Sequence, residues 1–115
     1  MIRASLLLIL VCLLAGCKPS APPPLPLSQL NAQQRSGHVV FETRCAACHY
    51  DRKDAALHGP SLLGVFKKPF LPSGAPANDD RVTATVLHGH GLMPAQADVV
   101  DDQDLADLLA YLHTL

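Results

Sequence analysis

Cys45, Cys48 and His49 stand in the stretch CAACH: two thiols three residues apart, with an imidazole directly after the second. Three chemistries use such a spacing. The thiols and imidazole can supply part of a tetrahedral zinc site, or the thiols can cycle as a redox disulfide. Alternatively, both sulfurs can be bonded to a cofactor whose iron the imidazole then binds.

The other cysteines narrow the choice. Of the four in the chain, Cys12 lies inside an apolar N-terminal run and Cys17 closes it, so only Cys45 and Cys48 remain for the folded part. A structural zinc site takes four ligands, commonly two pairs, and one CxxC with His49 leaves the fourth to a scattered histidine or aspartate. A thioredoxin-like couple sits beside a βαβ unit, and the chain shows no convincing strand pattern. A disulfide between residues three apart closes a very small loop and stabilises little. The spacing therefore favours covalent c-type haem. Residues i and i+3 share one helix face, so both thiols can meet the two vinyl groups on one porphyrin edge, with His49 delivered beneath the iron.

A second iron ligand is expected downstream. Met93 lies in the Gly-rich loop GHGLMPAQ, where glycines permit close backbone approach, and Met1 leaves with the N-terminal run. His88 and His90 stand within a few residues of Met93 and compete for the same role, since imidazole also binds haem iron. His38, His58 and His113 read as surface residues.

These side chains need helices to position them. Asn31-Ala-Gln-Gln34 has the form of a reciprocal helix cap, which predicts a helix over 32–46 ending at the motif. Asp79 to Leu87 reads as a short helix capped by Asn78 or Asp79 and ended by Gly89 and Gly91. Leu105, Leu108, Leu109, Leu112 and Leu115 fall at helical spacing behind Asp101 or Asp102. The segments between are rich in Gly and Pro and read as shaped loops. The expected class is a small all-α domain over residues 31–115. Roughly 85 residues without a tryptophan make a thin apolar core, which a covalently held cofactor would reinforce.

The N-terminus reads as an address. Residues 1–16 combine a positive start with an apolar run too short to span a bilayer. Leu14-Ala15-Gly16-Cys17 resembles the lipobox of bacterial lipoproteins, which implies cleavage before Cys17 and lipidation of its thiol. Lys18 in the next position weakly favours the outer membrane. Residues 17–30 hold five of the chain's ten prolines and no apolar periodicity, so an extended, unpacked tether is expected, reaching roughly 35 Å from the bilayer. Lys+Arg 9 against Asp+Glu 10 argues against nucleic acid as a partner. The aspartates at 98, 101, 102, 104 and 107 read as a solvated face.

From about residue 35 onward the chain resembles the class I (His/Met) cytochrome c family. The resemblance rests on Gly37 and Phe41 ahead of CAACH, Gly59-Pro60-Ser61-Leu62 after it, Gly91-Leu92-Met93-Pro94, and Tyr111-Leu112 in the last helix. It implies N- and C-terminal helices that cross near Gly37, Phe41 and Tyr111 around one haem c. It also implies that the Pro60 carbonyl accepts the His49 ring N–H, and that Leu62, Phe66, Val86 and Leu92 wall the pocket. Arg81, Lys67 and Lys68 are candidates to meet the propionates. The function implied is one-electron transfer outside the cytoplasm, in the periplasm or its equivalent, by a lipid-anchored cytochrome that is not itself an enzyme. Its partners would be an oxidase, reductase or dehydrogenase, either as a free carrier or as a subunit of a larger complex. The alternative is a haem sensor or small peroxidase whose Met93 is absent from iron or displaceable, with His88 or His90 as the distal acid-base group.

Overall fold

The computed structural model describes residues 21–115, so the leader 1–16 and Cys17 lie outside the described part. Among the described residues three helices carry the fold: α1, Ala32–Arg44; α2, Asp79–His88; and α3, Asp102–Leu112. Two 3-10 turns, Leu27–Gln29 and Val65–Lys67, add short supports. Among the described residues there is no strand, only two isolated bridges, Phe70 with Pro76 and His90 with Met93.

Each helix begins where its side chains cap it. The Asn31 side-chain oxygen accepts from the Gln34 amide at 2.8 Å, while the Gln34 side chain accepts from the Asn31 amide at 2.9 Å. Asn78 caps α2 by accepting from the Arg81 amide at 3.0 Å, and Asp101 caps α3 through the Asp104 amide at 2.8 Å. Side-chain caps of this kind satisfy backbone donors that the first turn leaves orphaned. α1 stops at Arg44, two residues before the expected end, because the motif tightens the chain. The Cys45 and Ala46 amides both donate to the Phe41 carbonyl, and the Cys48 and His49 amides both donate to that of Cys45.

α1 and α3 cross with their backbones in contact. A Cβ built on Gly37 would lie 1.9 Å from the Asp107 carbonyl oxygen, so only glycine lets the two helices approach this closely. Around the crossing, the Phe41 and Tyr111 ring centroids are 6.1 Å apart, and Leu108, Tyr111 and Leu115 are completely buried. Leu112 is buried with them, while Leu105 and Leu109 pack at the margin of the core.

The N-terminal segment departs from the expected free tether. From Leu25 to Leu30 it is docked on the domain: the Leu25 amide donates to the Thr114 carbonyl at 2.7 Å, Arg52 donates to the Leu25 carbonyl at 2.7 Å, and Leu30 is 3% exposed in the core. Arg35 reaches back to the Leu30 carbonyl. A strap that docks one residue at a time leaves no periodicity to read. The aspartate run is likewise more than a solvated face, because Asp101 is a cap and Asp107 is buried, accepting from Gln103 at 2.8 Å. Two histidines read as plain surface residues are also engaged. His38 packs its ring 4.9 Å from that of Tyr111, and His113 stacks on Phe66 while meeting Asp79 at 2.7 Å.

Candidate haem site

The motif occupies the turn that ends α1. Cys45 caps the helix and is half-buried against the core, Cys48 is exposed, and neither is in a disulfide among the described residues. Burial, and then the charge of Cys48, push the Cys45 thiol up to about 11. That is the opposite of the depressed values that activate redox cysteines. Among the described residues, no group of three or more His, Cys, Asp or Glu side chains could hold a metal ion. The zinc and redox-couple readings therefore gain no support from the structure.

His49 is held from two sides. Its Nδ1 lies 2.8 Å from the Pro60 carbonyl oxygen, a pairing that makes Nδ1 the N–H donor and leaves the Nε2 lone pair free. Beneath the ring runs Gly59, where an added Cβ would come within 2.4 Å of His49 Cε1. The backbone fixes this arrangement, since the His58 and Gly59 amides donate to the Cys48 carbonyl at 3.2 and 2.7 Å, and the Leu62 amide donates to that of Tyr50 at 2.8 Å.

The candidates for a second ligand separate by burial. Met93 is half-buried and packed against the core, whereas His88 and His90 are exposed. The loop that presents Met93 is closed by paired backbone bonds with His90, at 2.9 and 3.1 Å, and anchored by the Gln96 amide on the Val86 carbonyl at 2.9 Å. Gly89 and Gly91 adopt positive φ, 76° and 56°, and a Cβ on Gly89 would strike the Met93 carbonyl at 2.4 Å. Of the expected pocket walls, Val86 is buried and Leu62 and Phe66 pack against the core. Leu92 is exposed at the tight turn, while Met93 beside it is half-buried. Lys67, Lys68 and Arg81 are exposed, and no contact singles one of them out.

A polar lock beside the motif escaped the sequence reading. Tyr111 donates to the Asp51 carboxylate, and Arg52 ties Leu25 to the same corner with its other terminal nitrogen buried and without a partner among the described residues. Burial first, and then the bond to Asp51, raise the Tyr111 hydroxyl above its ordinary range. The adjacent Asp51-Arg52 pair, one residue beyond His49, was the available signal, since charges there must find partners or water.

Two unpaired thiols on one turn, an imidazole with its outer nitrogen free and a half-buried thioether in a rigid loop make a donor set that fits haem c. Known proteins agree. A sequence profile of the family described as cytochrome C oxidase, cbb3-type, subunit III matches residues 32–112. The chain is 32% identical over 77 residues to cytochrome c6 of Tetradesmus obliquus, covering 67% of this chain and 84% of that one. With cytochrome c6 of Thermosynechococcus vestitus it shares 30% over 104 residues, 90% of this chain and 82% of the other. With the cbb3-type cytochrome c oxidase subunit CcoP of an Azospirillum species it shares 34% over 82 residues, 69% of this chain but 27% of that longer protein. The chain therefore belongs to this cytochrome c family, as an all-α electron-transfer protein rather than an enzyme, with one haem c attached through Cys45 and Cys48.

Proposed function

We propose that the protein is a mono-haem cytochrome with His49 and Met93 as axial ligands. On this reading residues 1–16 are removed, lipid on Cys17 holds the protein to a membrane outside the cytoplasm, and single electrons pass between redox partner proteins there. The observation that carries the ligand reading is the lock on His49, whose Nδ1 is committed to Pro60 and whose Nε2 is thereby left for iron.

Haem in this position supplies a one-electron ferric/ferrous couple. The chain's residues do the rest. The Nδ1–H···O bond fixes the tautomer and raises the basicity of the outer nitrogen. A thioether from Met93 raises the reduction potential relative to a second imidazole, and the apolar side chains of Leu62, Phe66 and Val86 keep water from the ligands. With His49 and Met93 both committed to the iron, no position would remain there for a substrate. The likeness to CcoP, by its name an oxidase subunit, supports an oxidase as one partner and leaves open membership of a larger complex.

The test is optical. The oxidised wild-type protein should show a sulfur-to-iron charge-transfer band that vanishes in Met93→Leu, and the reduced wild type should not shift with carbon monoxide. A five-coordinate spectrum that shifts at once with carbon monoxide would overturn this assignment in favour of sensing or peroxidase chemistry.

A further inference from the structure

We propose that the loop from Lys67 to Pro72 rests on an anionic bilayer surface, on the side of the domain where Ala21 lies. The inference builds on the reading of Cys17 as a lipid anchor. Its first support is the loop itself, which presents Lys67, Lys68, Pro69, Phe70 and Pro72 to solvent, with Phe70 at 60% exposure. An exposed aromatic between prolines and next to two lysines combines apolar insertion with attraction to anionic headgroups.

The loop is built to hold that side chain outward. The Leu71 amide donates to the Ala75 carbonyl at 2.8 Å, the Gly74 amide to that of Leu71 at 2.8 Å, and the Ala77 amide to that of Pro69 at 3.1 Å. Phe70 bridges to Pro76, and Gly74 turns the tip with φ 85°. Leu71 packs inward against the core. Phe70, its neighbour, is thereby left facing out, and ordering the loop at a surface costs little because it is already ordered.

The second support is where the chain leads. Ala21 lies against Gly64, where an added Cβ would be 3.5 Å from the Ala21 Cβ and 3.9 Å from the Lys67 Cβ. The strap therefore passes the base of this loop. Three residues separate Ala21 from Cys17, four steps along the chain that span at most about 14 Å when fully extended. A domain held so near the headgroups would turn toward them the side on which Ala21 lies. Two lysines and one aromatic bind weakly alone, but a short tether gives an effective concentration in the millimolar range, at which a weak contact is occupied.

The experiment uses the mature holoprotein in vesicles of phosphatidylcholine, with and without phosphatidylglycerol. Acylation of Lys67 and Lys68 is followed by mass spectrometry against Lys53, which sits over the Tyr50 ring. Phosphatidylglycerol should slow both loop lysines roughly fivefold relative to Lys53. Phe70→Ser, whose haem spectrum verifies the fold, should return much of the lost reactivity. Equal rates in the two vesicle types would overturn the proposal. The mass of the N-terminal peptide reports on the lipid separately, so protection of the loop without lipid on Cys17 would refute the tether and keep the membrane contact.

Discussion

Replacing Gly37 by alanine sets two effects against each other. In an exposed helix the change would stabilise by about 1 kcal/mol, because alanine loses less backbone entropy. In this protein the new methyl would stand 1.9 Å from the Asp107 carbonyl oxygen, 2.5 Å from its carbon and 2.8 Å from the Tyr111 Cβ. The first two obstacles are backbone and cannot rotate away, so α1 must withdraw from α3 by at least about 1.5 Å to restore ordinary contact. That withdrawal loosens the packing of Phe41 against Tyr111 and of Val40 in the same cluster. Overpacking of this kind costs about 1–3 kcal/mol, and the lost contacts bring the expected net destabilisation to about 3 kcal/mol. In a domain of this size such a loss lowers the melting temperature by at least about 10 °C. Circular dichroism melting of the oxidised holoprotein measures it, with Ser36→Ala on the exposed face of the same helix as the control. A Gly37→Ala protein that melts at or above the wild-type temperature would show that helix propensity wins and that the helices do not depend on contact at this residue.

Two further substitutions probe the surroundings of the motif. Tyr111→Phe removes the donor to Asp51 and should cost about 1–3 kcal/mol at neutral pH. Because burial and Asp51 raise the Tyr111 hydroxyl above its unfolded value, the native state holds that proton more tightly, and the resulting stability is complete below about pH 10 and lost as pH rises beyond it. Urea midpoints from pH 7 to 11 should therefore fall more steeply for wild type than for Tyr111→Phe at the alkaline end, and parallel curves would refute the assignment. Gly59→Ala drives a methyl to 2.4 Å from His49 Cε1 and should swing the ring off the Pro60 carbonyl. A weaker Nδ1–H···O bond makes a poorer donor to ferric iron, so the reduction potential should rise in a spectroelectrochemical titration, and an unchanged potential would count against the lock.

What the sequence made legible was local. Asn31 with Gln34, Asn78 and Asp101 announce helix starts because a cap acts within three residues, and CAACH announces its chemistry because the spacing of the thiols is itself the requirement. Gly37 and Tyr111 were legible through resemblance. The missing parts depend on distant segments. Asp107 reads as one more acid in a charged run, yet it sits one turn before Tyr111 where α1 covers the helix, and only the crossing buries it. Leu25 and Leu30 sit in a proline-rich stretch that lacks a helical or strand period, because each docks separately on a surface formed by other segments. Leu92 and Met93 are adjacent and both apolar, so pattern alone could not tell that the turn at Gly91 sends one out and keeps the other in.

The contact of the first helix with the last also governs when the protein can close. Tyr111 and Asp51 are 60 residues apart in sequence, and the Gly37 crossing spans a still longer loop. Pairings at such separation form only after the intervening chain has given up its freedom, and not before the last helix has emerged. Until α3 arrives, the turn carrying Cys45 and Cys48 lacks the partner that covers α1. The bond between Tyr111 and Asp51 therefore forms late, while the turn carrying the two thiols, closed by bonds to neighbouring residues alone, can form early.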